Sequence, residues 1–320
     1  MSTLALICNP HSGRGPAVHD PVCARAEAAG IPVARTHSAA EVPGILRAFA
    51  GDGVDTLAVA GGDATVDSVI TAMRTHRAFT REPGVIALRG GTTNMTHADV
   101  GMSGPPERAL RRVLAARDAG RPLASRWRAP IVLDHDTGAR RYGFFFATAA
   151  VPRAIDRTVT RVYRRGLPGP LANTAMTLLS LARLTAGDIR RDPILHPDAV
   201  RWALDSEAPR AADTVVLMTT TLHRVLLGAR TRPETAGLRV SGITWPARAR
   251  WCLPGFLAGW APADPAAGRW RAAAARLAVQ TRAACTLDGE VLDGDPDGWW
   301  RLRVDRPVDF RVAQGMMRSA

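Results

Sequence analysis

The sequence predicts two domains, an α/β domain with a parallel sheet followed by a mainly antiparallel, β-sandwich-like domain. The chain has 320 residues, more than one hydrophobic core usually supports. Its first third alternates apolar runs, glycine-containing turns and helix-like stretches, which is typical of right-handed βαβ units around a parallel sheet. From Trp127 onward, short strand-like runs are separated by turns, so we place the domain boundary near residue 127.

The first two strands of the parallel sheet are predicted near the N-terminus. Leu4–Cys8 is an apolar run without alternation, as expected for a strand buried on both faces. A turn follows over Asn9–Gly15, and a helix is predicted after it and ends at about Ala29. The second strand is predicted over Ile31–Ala34, and Ser38 and Glu41 beyond it have the spacing of a helix capping box.

The next two βα units are the clearest. Thr56–Ala60 and Val85–Leu88 read as buried strands, followed by the turns Gly61–Thr65 and Arg89–Asn94. One face of the intervening helix carries apolar residues at i, i+3, i+4 and i+7, which we assign to the core: Val66, Val69, Ile70 and Met73.

A helix around 105–119 completes the first domain, and the second domain is predicted to be mostly strands. One further helix is predicted at about 171–184. The predicted strands are Pro130–Leu133, Tyr142–Ala149, Asp213–Thr219, Leu238–Thr244, Leu277–Leu287 and Trp299–Val304.

The charge composition excludes several kinds of chemistry. The formal net charge is +13, and every basic residue is arginine. A chain without lysine has no P-loop lysine and no Schiff-base lysine, so arginine must hold any anion. A GC-rich coding bias and a selected basic surface explain the arginine excess equally well. Nucleotide phosphates and an anionic membrane fit the charge, whereas no recognition motif supports nucleic acid as a partner.

The sequence shows no secretory or membrane-spanning segment. The N-terminus lacks a basic region with an apolar stretch behind it, and no run reaches about 18 apolar residues. The four cysteines form no zinc or disulfide pattern. We therefore expect a cytoplasmic protein that could rest on the inner face of a membrane.

Three glycine-containing turns should lie at one edge of the parallel sheet, because the carboxyl ends of parallel strands meet there. Backbone N–H groups and helix N-termini at such turns bind anions before any side chain is considered. The candidate nucleotide-binding residues on these turns are Asn9, Pro10, His11, Ser12, Gly13, Gly61, Gly62, Ala64, Thr65, Gly91, Thr92 and Asn94, and Thr36 after the second strand is a further candidate.

Asp63 stands among these glycines. A nucleotide would repel its carboxylate unless the carboxylate holds Mg²⁺ or accepts a proton. We therefore treat Asp63 as a candidate catalytic residue and metal ligand. A role as N-cap of the following helix is the alternative.

The motifs resemble, in order, the diacylglycerol kinase catalytic domain family, which is related to sphingosine kinases and more distantly to NAD kinases. They are Asn9-Pro10-x-Ser12-Gly13, Gly61-Gly62-Asp63-x-Thr65, Gly91-Thr92-Thr93-Asn94 and Asp288-Gly289-Glu290. The resemblance implies a Rossmann-like nucleotide-binding domain, 1–126, and a β-sandwich substrate domain, 127–320, with an interdomain cleft. The last residues could return to pack on the first domain. The resemblance also implies that the first three motifs bind ATP. Asp288 and Glu290 become candidate catalytic residues, one of which deprotonates the acceptor hydroxyl.

Three departures from the family pattern affect the expected site. Ala64 replaces a common glycine, and at a position requiring positive φ it would cost about 1–2 kcal/mol. Asp67-Ser68 replaces a common Asn-Glu pair. The Pro233–Gly237 loop lacks the aspartates that hold a structural Mg²⁺ in many relatives, so that second metal site is not expected here.

The resemblance implies an ATP- and Mg²⁺-dependent lipid kinase acting on a diacylglycerol- or sphingoid-like alcohol. Peripheral contact with an anionic membrane is expected, and a homodimer is one possible assembly. A non-catalytic nucleotide- or lipid-binding relative and, more remotely, a NAD kinase remain as alternatives.

Overall fold

The computed structural model describes residues 3–13, 15–102, 104–157, 182–183, 185, 188–224, 237–248, 250–257, 259 and 261–313. The helix predicted at 171–184 and the loop at 233–237 lie almost entirely outside these residues. The chain forms two compact units, one of residues 1–129 and 306–320, the other of residues 130–305.

The first unit is built on a six-stranded sheet with the order β2-β1-β3-β4-β17-β5. Its strands are β1 Leu4–Cys8, β2 Val33–Arg35, β3 Thr56–Gly61, β4 Gly84–Arg89, β5 Ala124–Arg128 and, from the end of the chain, β17 Val308–Val312. All neighbours pair in parallel except β17 and β5, which are antiparallel. The parallel α/β architecture predicted for this part of the chain is therefore confirmed.

In the described part of this unit, five helices accompany the sheet: α1 Pro16–Ala28, α2 Val42–Gly51, α3 Asp63–His76, α4 Met95–Asp99 and α5 Pro106–Asp118. The four apolar residues assigned to one face of α3 are all buried. Strands β1 and β3 are buried along their whole length, which explains their unalternating apolar sequences. The central strands of the sheet are thus covered on both faces, and the polar turns lie at the ends of the strands.

The second unit is a large antiparallel sheet. Its main path runs β15-β14-β8-β10-β9-β13-β16-β6-β7, with β11 paired to β10 and β12 paired to β11. The strands are β6 Ile131–His135, β7 Arg140–Gly143, β8 Phe145–Ala149, β9 Asp198–Leu204, β10 Arg210–Thr220, β11 Leu238–Thr244, β12 Arg269–Ala274, β13 Arg276–Thr281, β14 Cys285–Leu287, β15 Glu290–Leu292 and β16 Asp295–Val304.

The sheet of the second unit folds over one hydrophobic core. Leu287 of β14 and Ile131 of β6 stand far apart in the strand order, yet both belong to this core. A second hydrophobic cluster includes residues of α6 Ala150–Arg157 and α7 Leu253–Leu257 and packs against both helices. The antiparallel β-sandwich predicted for this part of the chain is confirmed.

Several elements differ from the sequence-based boundaries. The run predicted as one strand over 142–149 is divided at Phe144, whose backbone N–H donates to the side chain of Asp288. The run over 277–287 is likewise two strands, β13 and β14. Strands β5, β9, β12, β15 and β17 were not predicted. None of the helices in the described part of the chain combines the length and apolar character needed to span a membrane.

Candidate functional site

The first candidate turn follows β1 and is held by its own polar groups. The side-chain oxygen of Asn9 accepts the backbone N–H of His11 at 3.0 Å, and the Asn9 amide donates to Thr65 Oγ1 at 3.3 Å. Ser12 Oγ donates to the Asn9 carbonyl at 3.1 Å. Asn9 therefore connects the first turn to the second. Pro10, which follows Asn9 in the first turn, is buried.

The second candidate turn leads directly into α3. Gly62 is the N-cap of α3, as Gly15 is of α1, and neither helix has a side-chain cap. The first N–H groups of a helix have no partner within the helix, so an anion can accept from them. The α3 N-terminus therefore presents backbone N–H groups that no N-cap side chain occupies.

Asn94 shapes the third candidate turn. It adopts the left-handed conformation with φ 53° and serves as the N-cap position of α4. Its side chain accepts the Gly91 N–H at 2.9 Å and donates to the Gly91 carbonyl. The carbonyl and NH₂ groups of the Asn94 side chain are therefore both hydrogen-bonded to Gly91 within this turn. Thr92, which lies between Gly91 and Asn94 in sequence, is half-buried.

The three turns are brought together at one edge of the sheet, as the parallel arrangement predicts. A Cβ atom added to Gly13, which has φ 58°, would lie 2.1 Å from the Gly90 carbonyl oxygen. A Cβ atom on Gly91 would lie 2.5 Å from the Cα of Gly62. Glycine is required at these places because neighbouring backbones approach too closely for any side chain.

His19 joins the first and third turns, and sequence reasoning missed it. It lies on α1 with 0% exposure, and its Nε2 is 2.9 Å from Ser12 Oγ and 3.2 Å from the Ser12 carbonyl oxygen. Its ring also fills the space beside Gly90. Burial lowers the pKa of His19 below its usual value, against the opposing effect of backbone carbonyls. No motif distinguishes this histidine, because its role depends on the folded arrangement.

The carboxylate of Asp63 is directed to the N-terminus of α4. It accepts the backbone N–H of Met95 at 2.8 Å and of Thr96 at 3.0 Å, and His97 Nδ1 at 3.1 Å. Its side chain is only 3% exposed. Asp63 therefore caps a helix, but the helix is α4 rather than the one that Asp63 begins.

These contacts test whether Asp63 suits a magnesium ion. The two carboxylate oxygens already accept three hydrogen bonds, and the side chain is only 3% exposed, which leaves little access for Mg²⁺ with the water ligands it usually keeps. The described residues also contain no group of three or more His, Cys, Asp or Glu side chains suited to a metal. The present geometry does not fit Asp63 as a direct Mg²⁺ ligand.

The structure removes the concern about strain at Ala64. The residue lies in the first turn of α3 and is absent from the positive-φ positions of the described residues. Its carbonyl accepts a hydrogen bond from Ser68 Oγ at 2.8 Å. Asp67, the other departure in this segment, is buried on α3. Alanine in place of glycine is therefore compatible with the observed turn.

Two candidate positions lie at the ends of β1 and β2. Thr36 is buried, and its hydroxyl donates to the Ser38 carbonyl at 2.8 Å, so the side chain stabilises the turn after β2. His11 is exposed, and its Nε2 lies 2.9 Å from Nδ1 of His37. This histidine pair was not apparent from the sequence because the two residues stand on different turns.

The two carboxylates of the Asp-Gly-Glu motif have different environments in the second unit. Asp288 is buried with φ 48°, and its carboxylate accepts the Phe144 N–H at 2.5 Å. Glu290 is partly exposed on β15 and forms an ion pair with Arg141 of β7. Asp288 holds the junction of β7 and β8, whereas Glu290 remains accessible to a substrate.

Comparison with known proteins supports the family seen in the motifs. Residues 3–120 match the diacylglycerol kinase catalytic domain. No curated protein matches the chain.

Three solved structures from Bacillus anthracis str. Sterne share the fold. One, described as a diacylglycerol kinase, has a TM-score of 0.61 at 12% identity over 99% of this chain and 98% of its own. Two described as candidate diacylglycerol kinases have TM-scores of 0.63 and 0.62 at 13% and 14% identity. These alignments cover 95% and 97% of this chain, and 94% and 97% of the respective structures. At such identities the likeness concerns the fold alone.

All three glycine-containing turns lie inside the matched segment. Their sequence, order and convergence at one sheet edge agree with the match. The resemblance read from the motifs is therefore confirmed: residues 3–120 of this chain match the diacylglycerol kinase catalytic domain.

Proposed function

We propose that this protein is a kinase that transfers a phosphoryl group from ATP to the hydroxyl of a diacylglycerol- or sphingoid-like lipid. The observation that carries the proposal is the convergence of three glycine-containing turns at one edge of the parallel sheet. The family match over residues 3–120 supports it independently.

The proposed phosphate site uses backbone groups rather than lysine. The N-terminus of α3 has no side-chain cap, and Gly13 and Gly91 keep side chains out of the space between the turns. Phosphoryl transfer depends mainly on positioning and charge stabilisation, which fixed backbone donors supply without reorganisation. Asn9, His19 and Asn94 would act by holding the turns in place.

Glu290 is the better candidate for the proton acceptor. A general base must reach the hydroxyl from which it takes the proton. The carboxylate of Asp288 is buried and accepts the Phe144 N–H, whereas Glu290 is accessible and paired with Arg141. We assign acceptance of the hydroxyl proton to Glu290 and a positioning role to Asp288.

Dependence on a divalent metal is usual for kinases, but Asp63 does not fit as a direct ligand here. Omission of Mg²⁺ with added chelator, followed by titration of Mg²⁺ back into the assay, tests this dependence. Loss of turnover without metal and recovery on titration would establish the dependence, and unchanged turnover in the presence of chelator would contradict it.

A lipid substrate implies work at a membrane surface, and the net charge of +13 suits an anionic one. We propose peripheral association, in which each exposed arginine near the surface adds about 1 kcal/mol of attraction. Flotation with neutral and anionic vesicles at low and high salt tests this. Equal binding to both vesicle types would argue against a basic membrane-binding surface.

Transfer of label from γ-labelled ATP to a panel of lipid alcohols tests the activity, with NAD as a parallel acceptor. We expect labelled lipid product and no labelled NAD. Labelled NADP in place of labelled lipid would identify a NAD kinase.

A non-catalytic nucleotide-binding relative is the second candidate, favoured by the structural use of the Asp63 carboxylate. It predicts ATP binding without transfer to any lipid in the panel. Calorimetric binding measurements beside the transfer assay therefore separate the two candidates.

A further inference from the structure

Two histidines from separate turns are in contact at the carboxyl edge of the parallel sheet. His11 follows β1 and His37 follows β2, with 2.9 Å between Nε2 of the first and Nδ1 of the second. Their ring centroids are 5.1 Å apart, with 52° between the ring planes, and both residues are exposed. His11 stands on the first of the three candidate nucleotide turns, and His37 stands on the turn after β2.

Both backbones are fixed independently of the imidazole contact. The His11 N–H donates to Asn9 Oδ1 at 3.0 Å, and the His37 N–H donates to Glu41 Oε2 at 2.9 Å. The two rings are therefore presented to each other by separate local turns. This arrangement reduces the entropy that would be lost if a ligand had to bring them together.

The short contact between the rings limits the charge that the pair can hold. At 2.9 Å one imidazole must donate an N–H and the other must accept it. Two imidazolium rings would both be donors at these nitrogens and would repel each other. The second proton therefore needs a nearby anion.

The other charged groups at these turns do not provide that anion fully. The Glu41 carboxylate accepts the His37 N–H and Ser38 Oγ, and the His37 N–H is the main cause of its lowered pKa. Arg35 on β2 is paired with Glu27 of α1 at 3.0 Å, and Asp20 of α1 is exposed. Glu41 is thus the acid that directly faces His37, and its oxygens already have donors.

We propose that His11 and His37 form a proton-linked anion site that receives a phosphoryl group of the bound nucleotide. The inference rests on the proposed function, because that function places a nucleotide at this edge. Binding of the phosphoryl group offsets the repulsion between the rings and draws in the second proton. Uptake of one proton makes affinity rise about tenfold per unit fall in pH.

Proton uptake is measured by calorimetry at pH 7.5 in two buffers that differ in ionisation enthalpy. ATP, tripolyphosphate and adenosine are titrated in turn. We expect uptake approaching one proton with ATP and tripolyphosphate and none with adenosine. His11→Asn and His37→Asn should each remove the uptake and weaken ATP binding about three- to tenfold.

His76→Asn is the matched control, because His76 is exposed at the far end of α3. It should behave as the wild type, and thermal unfolding should show that all three variants are folded. Subtracting the proton uptake of each variant from that of the wild type removes the contribution that comes from protonation of the nucleotide itself.

ATP binding with no difference in uptake between the wild type and both variants overturns the inference but leaves the proposed function intact. Failure of ATP to bind at all contradicts the proposed function instead. In that case tripolyphosphate still decides the histidine site: variant-sensitive uptake supports it, and the absence of such uptake overturns it.

Discussion

Replacing Asp63 with Asn separates a structural role for this carboxylate from a chemical one. In the structure the carboxylate accepts three hydrogen bonds, two of them from the first backbone N–H groups of α4. An asparagine keeps one acceptor oxygen, while its NH₂ group would face a buried donor. Hydrogen bonds to charged groups are worth about 1.5–3 kcal/mol, and a buried unsatisfied donor costs about 1–3 kcal/mol. We expect Asp63→Asn to lower the free energy of unfolding by about 2–4 kcal/mol.

Urea unfolding followed by circular dichroism measures this change. Asp118→Asn is the control, because the Asp118 side chain is 65% exposed, and it should change stability by less than about 0.5 kcal/mol. An Asp63→Asn protein as stable as the wild type but without turnover would refute the capping argument. It would return Asp63 to the chemistry of transfer.

Three further predictions test the other parts of the site. Ala64→Gly should change ATP affinity less than about threefold and lower the free energy of unfolding by up to about 1 kcal/mol, because Ala64 is helical and unstrained. Isothermal titration calorimetry measures the affinity, and a variant that binds ATP about tenfold more tightly than the wild type would contradict this. The pKa of His19 is lowered in the folded state, so the unfolded state binds more protons, and stability should be lost as pH falls below about 6.5. In His19→Gln, the loss of unfolding free energy that His19 causes at acid pH should be absent from urea unfolding measured between pH 5 and 8. The same pH dependence in variant and wild type would count against this role of His19. Asp288→Asn should cost about 1–3 kcal/mol in urea unfolding, because the Phe144 N–H loses its charged acceptor, whereas Glu290→Gln should stay within about 0.5 kcal/mol of wild type. Equal stability of the two variants would remove the distinction drawn between these acids.

The parallel sheet and its site edge were predictable from local sequence. Runs such as Leu4–Cys8 and Thr56–Gly61 are apolar without alternation because the strands are buried on both faces. Once these strands are parallel, topology alone requires their following turns to meet at one edge. That explains why Gly13, Gly62 and Gly91 could be assigned to a common site before any contact was known.

The remaining features depend on contacts between distant parts of the chain. Strand β17 pairs with β4 and β5, which its own five residues do not indicate. His19 acquires its role only when α1 packs its ring beside Gly90. Asp63 was considered a cap for its own helix or a chemical group, and the structure directs it to α4, 32 residues away at the Met95 contact.

The Asp-Gly-Glu motif shows the same limit. Sequence left Asp288 and Glu290 as equal candidates, because both are acids in one short hairpin. The positive φ of Asp288 turns its carboxylate to the Phe144 N–H, while Glu290 extends to Arg141. The choice between them depends on backbone conformation, which the three letters of the motif do not reveal.

Phosphoryl transfer by matched glutamate variants tests the central claim most directly. Glu207 is the control for Glu290, because it is also exposed and ion-paired, with Arg210 at 2.9 Å. With γ-labelled ATP and the lipid-alcohol panel, we predict transfer by wild type and Glu207→Gln, and a rate about 100- to 10,000-fold lower for Glu290→Gln, the usual contribution of a general base. Transfer by Glu290→Gln at the wild-type rate, or no transfer to any lipid by the folded wild type, would contradict the account.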